Sequence, residues 1–381
     1  MTNRMKWVVG IVAVILIGLA IYYSNNTKHA RLGAEPIKIG VAVAKTGVGA
    51  EWGTDELRAL QLAFDAKNAE GGISGRHIEM IAEDTKSDNV GTANAFSKLI
   101  NVDKVTLIIG PTWGDSFQAG YALAKKAGMP VVGPSVAVEV LDRSLVGDHF
   151  VTWWPEAPEM STVADWMIAS GNDQVVQFYD HDAFNTKISE IFTAVATQKG
   201  VTILDKVVLP IGNNDFRTPL AKVLSKKPDV FFVELQDVGS FGPFLRQLRE
   251  LGSTAKVVST ATSQNQQLLE NFASLVENSI VYSYPAINED ASYTSLVAAY
   301  EKKYGVKPSG PSFVNAYNAG LATIAALEDH TKTDVTITEA LKRVQIPGVG
   351  IEKISFGATG QVEQANFRMK TVKNGQFVNL E

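Results

Sequence analysis

The feature that most constrains this chain is a regular alternation of short apolar segments with longer amphipathic ones, which begins at Ile37. The first apolar segment, 37–43, predicts a buried strand, and the next segment, 55–69, predicts a helix that ends at Gly71 and Gly72. Further strands and helices are predicted in the order strand 77–83, helix 90–100 and strand 105–109. Such an alternation is typical of parallel sheets covered by helices, so the sequence predicts an α/β fold.

The same alternation restarts after Trp154 and Pro155. Strands are predicted at 175–179, 201–209 and 230–235, and helices at 183–198 and 216–224. A chain of 381 residues exceeds one ordinary core, so we expect two lobes. Helices predicted at 293–304 and 312–327 follow the second unit, which suggests that the chain returns to the first lobe. The segments 351–356 and 364–371 predict strands joined as a hairpin around 357–360.

The N-terminus carries an export signal. Arg4 and Lys6 precede seventeen uncharged residues, Trp7 to Tyr23. This length and the final Ile-Tyr-Tyr favour an uncleaved membrane anchor, and a cleaved signal peptide is the alternative. In both cases residues 1–35 form a signal or anchor with a short linker, and the remaining chain is expected to be periplasmic or extracytoplasmic. An uncleaved segment at 7–23 would tether it to the cytoplasmic membrane.

The composition excludes several kinds of site. The chain has no cysteine, which removes disulfides, thiolate metal sites and lipoprotein attachment. Beyond residue 35 the net charge is −8, which argues against a nucleic-acid partner. The five histidines lack metal-ligand spacing, and the glycines at 47, 49 and 53 miss the dinucleotide-binding pattern by one residue. We therefore predict no metal, no cofactor and no enzyme activity.

Several motifs resemble one family. The segments 37–53 and 69–76 (AEGGISGR) are similar to the type I periplasmic solute-binding proteins of ABC transporters, in the branched-chain amino acid and amide class that includes Leu/Ile/Val-binding proteins. The similarity continues through 109–112 (IGPT), 128–135 (GMPVVGPS), 228–230 (PDV) and 353–360. It implies a Venus-flytrap protein, in which two doubly wound parallel-sheet lobes joined by a three-crossover hinge close on a solute. We place the first lobe at 36–155 and 285–345, and the second at 156–284 and 346–381.

The loops that follow the strands are the predicted binding site, because ligands of open α/β sheets bind at the carboxyl ends of the strands. The candidate residues are Trp52, Thr112, Trp113, Gly114, Asp115, Ser116, Ser135 and Trp153 early in the chain, and Phe184, Gln236, Asp237 and Thr262 in the second lobe. Asp115 and Ser116 are also candidate helix caps. Trp153 and Trp154 are also candidates for packing the hinge.

The resemblance implies a clamp for α-amino acids, built from a Ser, a Thr and an acidic residue. This chain has Gly114 and Ala137 at the first two positions, and Ala261 or Thr262 near the third. The sequence therefore does not by itself predict a leucine-type ligand. The concentration of Trp and Phe, with Asp residues nearby, favours a neutral or cationic solute instead.

The predicted function is extracytoplasmic binding of a small solute, an amino acid, an amide or an aromatic or cationic compound, for delivery to an ABC permease. The alternative is a membrane-anchored sensor that acts on a signalling protein. An enzyme that uses the cleft is a third hypothesis, for which the sequence offers no motif.

Overall fold

A computed structural model describes residues 35–141, 149–235, 238–260, 266–285, 291–363 and 367–380. The predicted anchor or signal peptide lies outside these residues, as do Gln236, Asp237 and Thr262. None of the helices within the described ranges combines the length and the apolar character that a membrane crossing requires.

The first sheet is parallel throughout and has the order β2-β1-β3-β4-β5. Its strands are β1 (Ile37–Val43), β2 (Ile78–Asp84), β3 (Leu107–Ile109), β4 (Val131–Gly133) and β5 (His149–Val151). The connecting helices are α1 (Ala50–Ala69), α2 (Asn89–Lys98, followed by a π-helical turn at Leu99–Asp103) and α3 (Gly114–Ala127). The central strands are almost wholly buried, which explains why they appear in the sequence as unbroken apolar runs.

The second sheet has the order β14-β13-β10-β9-β8-β6-β7. Its strands are β6 (Gln174–Asp180), β7 (Thr202–Leu209), β8 (Val230–Glu234), β9 (Lys256–Ser259), β10 (Ile280–Pro285), β13 (Phe367–Lys373) and β14 (Gln376–Asn379). Its helices are α4 (Glu156–Ala169), α5 (Ala183–Lys199), α6 (Arg217–Leu224), α7 (Val238–Glu250) and α8 (Gln266–Val276). The strands β6 to β10 are parallel, and β13 and β14 add an antiparallel edge. The predicted fold class, two lobes with parallel sheets, is confirmed.

The chain then returns to the first sheet through α9 (Ala291–Tyr304), α10 (Ser312–Thr333) and α11 (Ile337–Lys342). Helix α10 packs along α1, and Tyr300 and Phe313 share a buried apolar cluster with Ile39 of β1. Ile354 and Val362, which the predicted boundaries assign to the second lobe, pack in this same cluster. The residue boundaries predicted for the two lobes remain a proposal.

The hairpin predicted at 351–371 is confirmed at its turn, but its two strands pair with other partners. The turn at 357–360 closes a single antiparallel bridge between Phe356 and Val362. The short strand β12 (Lys353–Ser355) pairs with β11 (Gln345–Pro347), whereas β13 pairs with β10 in the other sheet. The turn is pressed against β5: a methyl group on Gly360 would lie 2.0 Å from the His149 carbonyl oxygen. Gly360 therefore allows this close packing contact where the chain passes from one lobe to the other.

Candidate functional site

Phe184 is the side chain that joins the two lobes at the candidate site. It is the second residue of α5, whose first turn is capped by Asp182 through a 2.8 Å bond from the Asn185 backbone N–H. Its ring packs against the apolar cluster of the first sheet and against the cluster of the second sheet. Helix α5 also contacts α3 and the 3-10 turn Val138–Val140 of the first lobe. The predicted ligand residue Phe184 therefore lies where the lobes meet.

A ladder of aromatic rings packs in the same first-lobe cluster as Phe184. The partly exposed Trp52 ring lies 6.0 Å from the Trp153 ring, which stacks on Trp154 at 3.8 Å. Trp153 and Trp154 are buried, and their indole nitrogens donate hydrogen bonds of 2.7 Å to Glu156 and 2.8 Å to Glu159. These bonds fix both indoles at the crossover between the lobes. Trp52 is the ring of the ladder that keeps an exposed surface, while the cleft contact predicted for Trp153 stays a prediction.

Glu56 lies beneath the carboxyl ends of β3 and β4, and the sequence reasoning missed it. The Thr112 hydroxyl donates to its Oε2 at 2.8 Å, and the Ser135 hydroxyl donates to its Oε1 at 2.5 Å. The whole side chain is buried, and this burial raises the pKa of Glu56 to about 7 against the hydrogen bonds, which lower it. Two predicted ligand residues, Thr112 and Ser135, are thus brought together around an unpredicted carboxyl group.

The position of Glu56 depends on how α1 packs on the sheet. Gly53 lies against the end of β1, where a methyl group would approach the Ala44 carbonyl oxygen to 2.1 Å. Trp52 and Glu56 are one helical turn apart and therefore share one side of α1. The close approach at Gly53 brings this side of the helix to the strand ends.

The remaining first-lobe candidates lie around the start of α3. Trp113 is its N-cap residue and is partly buried against Gly49, and Gly114 lies so close to Val140 that a methyl group would be 2.9 Å from it. The cap predicted for Ser116 is wrong, because the helix begins at Gly114 and places Ser116 inside the first turn. Ser116 is buried, and Asp115 occupies the same helical turn.

Four carboxyl groups from both lobes surround the crossover. The Glu156 backbone N–H donates to the Glu139 carboxylate at 3.0 Å. Burial raises the pKa of Glu156 well above its usual value, and the negative charges of Glu159, Glu139 and Glu234 raise it further. Glu159 also accepts a hydrogen bond from the Ser283 hydroxyl. An anionic solute nearby would raise the pKa of Glu156 further, whereas a cationic solute would lower it.

Glu234, one of these four acids, lies at the carboxyl end of β8. Its oxygens accept 2.7 Å bonds from the Thr260 backbone N–H and hydroxyl and a 3.1 Å bond from the Ser259 hydroxyl. Burial raises the pKa of Glu234 to about 7. A single acid within the apolar run VFFVEL is an unusual pattern, and this signal could have identified Glu234 from the sequence.

Comparison with known proteins gives a consistent answer. The sequence model of the family described as periplasmic binding protein matches residues 36–376. A Leu/Ile/Val-binding protein homolog 8 from Brucella suis is 24% identical over 393 residues, which span 96% of this chain and 95% of the relative.

Two solved structures share the fold. The branched-chain amino acid transporter substrate-binding protein LivJ from Streptococcus pneumoniae, in complex with isoleucine, has a TM-score of 0.79 and 24% identity over 91% of this chain and 100% of that one. An ABC transporter solute-binding protein from R. palustris, in complex with benzoate, has a TM-score of 0.78 and 19% identity over 91% of this chain and 95% of that one. With two parallel-sheet lobes that meet at Phe184 and a family match along most of its length, this chain belongs to the periplasmic binding protein family.

Proposed function

We propose that this protein binds a small solute between its lobes outside the cytoplasm and delivers it to an ABC permease. The observation that carries the proposal is the pair of parallel sheets joined at the Phe184 contact, with the partly exposed Trp52 packed against the same first-lobe cluster as Phe184. Ligands of such sheets bind at the carboxyl ends of the strands, and lobe closure around a ligand changes the molecular shape. A permease can recognise that closed shape, so the function needs no chemistry on the solute.

The solute we propose is neutral or cationic and carries a flat or apolar part. Trp52 and Phe184 offer ring surfaces for such a part, and each ring contact contributes roughly 0.5–2 kcal/mol. Glu156 and Glu234 are buried near the crossover with raised pKa values, and a cationic solute there would favour their ionised forms whereas an anionic solute would disfavour them. The isoleucine and benzoate bound to the two solved relatives both carry a carboxylate, so this proposal separates the present chain from those proteins.

We also propose that residues 7–23 tether the protein to the cytoplasmic membrane and that the lobes face the periplasm or the cell exterior. The support is the uncharged run that follows Arg4 and Lys6. Mass spectrometry of the protein from membranes tests this proposal. An intact N-terminus is expected, and a chain that starts after Tyr23 would contradict the tether.

A thermal-shift panel of amines, amides, amino acids and aromatic acids tests solute binding. A saturating solute stabilises the folded form by RT ln(1 + [L]/Kd), about 2.7 kcal/mol at a hundredfold excess over Kd. We expect amines or amides to raise the melting temperature more than leucine does. Co-purification with an ABC permease would support delivery, whereas a signalling kinase as the bound partner would contradict it.

A further inference from the structure

At the strand ends of the first lobe, the hydrogen bonds of the Thr112 and Ser135 hydroxyl groups fix the direction in which each hydroxyl donates. Thr112 donates to Glu56 Oε2, and the Thr112 oxygen accepts a 2.9 Å bond from the Ala44 backbone N–H. Ser135 donates to the other carboxylate oxygen of Glu56. Each hydroxyl group has one hydrogen, and an ionised carboxylate can only accept. When Glu56 is ionised, both hydroxyl hydrogens are therefore committed to it.

Only the lone pairs of these two hydroxyl oxygens remain to bind a solute, and they accept hydrogen bonds. Ser135 is 7% exposed and Thr112 is 1% exposed, so Ser135 is the more accessible of the two. A solute carboxylate placed here would meet acceptor oxygens and the negative charge of Glu56 behind them. An ammonium or amide N–H would instead donate to the Ser135 oxygen, and its charge would be attracted to Glu56.

We propose, on the basis of the solute-binding function above, that Glu56 is a positioning residue that turns the Ser135 and Thr112 hydroxyl groups into hydrogen-bond acceptors, so that the solute presents a protonated amine or an amide N–H to this end of the cleft. Trp52, one helical turn before Glu56 and partly exposed, is placed to cover the apolar part of the same solute. The substrate class is therefore an amine or amide attached to an aromatic or branched apolar group.

The experiment compares solutes that differ only in the head group. For a phenyl and for an isobutyl skeleton, the amine, the carboxamide and the carboxylate are compared. Their binding to the full chain is measured by thermal shift and calorimetry at pH 8.5. This pH lies above the pKa of about 7 to which burial raises Glu56, so the residue is ionised. We expect the amine or the amide of at least one skeleton to bind at least tenfold more tightly than its carboxylate.

Glu56→Gln tests the positioning role. The Gln amide nitrogen donates to one of the two hydroxyl groups and releases that hydroxyl hydrogen for a solute carboxylate. We expect the ratio of amine to carboxylate affinity to fall at least tenfold. A residue that only supports the fold would change both affinities together.

The matched control is Asp55→Asn, which removes a buried carboxylate from the neighbouring position of α1. Asp55 accepts bonds from the Tyr300 hydroxyl and from Ser309, and it holds no strand-end hydroxyl. We expect this variant to keep the wild-type affinity ratio, even where it lowers stability.

Three results would overturn the proposal. The first is a preference of the wild-type protein for carboxylates on both skeletons. The second is the absence of binding by every amine and amide tested. The third is an unchanged affinity ratio in Glu56→Gln. In each case, stabilisation of the protein by leucine or by another acid would still support solute binding. A failure of the Glu56 proposal can therefore be distinguished from a failure of the solute-binding function.

Discussion

At the scale of single residues, the aromatic candidates were easier to predict than the carboxyl groups around them. Trp52 lies in the loop predicted after the first strand, where a large aromatic side chain stands out in the sequence, although the structure places it in the first turn of α1. Glu56 and Glu234 are acidic residues within helix and strand segments, where a charged side chain is normally exposed. Their burial depends on Thr112, Ser135 and Thr260, which lie far away in the sequence. Sequence reasoning found Thr112 and Ser135, but it missed Thr260 and both acids.

Replacing Trp52 by Ala tests the aromatic contact. The change removes a ring surface beside the cleft, so we expect solute affinity to fall at least tenfold, about 1.4 kcal/mol. Calorimetric titration with the best panel solute measures this. The matched control is Trp166→Ala, since Trp166 is also partly buried but packs against the cluster of the second lobe. Equal losses of affinity in the two variants would show that Trp52 acts through general stability.

At the scale of elements, the alternation of strands and helices was predictable, while the ends and partners of some elements were not. Helix α1 begins at Ala50, five residues before the predicted start, because Gly53 allows its first turn to pack on the end of β1. The strand around 367–371 was recognised, but its partner β10 lies in another part of the chain. Local patterns predict that a strand exists, whereas its partner depends on packing between distant segments.

Replacing Gly53 by Ala tests the close packing of α1 on the end of β1. The added methyl group would lie 2.1 Å from the Ala44 carbonyl oxygen, so the helix must move away from the sheet. We expect the free energy of unfolding to fall by about 1–3 kcal/mol, as for other overpacked sites. We also expect weaker solute binding, because Trp52 and Glu56 move with the helix. Urea unfolding measures the first effect, and a variant as stable as wild type would contradict the packing described here.

At the scale of the whole molecule, buried carboxyl groups link stability to pH. Burial raises the pKa of Glu56 and Glu234 in the folded protein to about 7, from 4.5. Such groups favour the folded state while protonated, so their contribution is fully present below pH 4.5 and is lost as the pH rises through 7. The loss is roughly 3 kcal/mol for each group. The burial of Glu56 and Glu234 therefore makes the protein more stable in mild acid.

The melting temperature of the solute-free protein should fall as the pH is raised from about 5 to about 8. Glu234→Gln removes one titrating group and should flatten this dependence. Glu270→Gln, an exposed acid on α8 of the same lobe, is the control and should retain the wild-type slope. If the melting temperature of all three proteins changed with pH in the same way, burial would not raise the pKa of Glu234.

The most direct test of the account is the distance between the lobes with and without solute. The chain has no cysteine, so Glu79→Cys on β2 and Lys206→Cys on β7 place one spin label on an exposed position of each lobe. We predict that a solute that raises the melting temperature also narrows the distance distribution measured by pulsed electron paramagnetic resonance and shifts its mean. An unchanged distribution with a tightly bound solute would contradict closure of the two lobes around it.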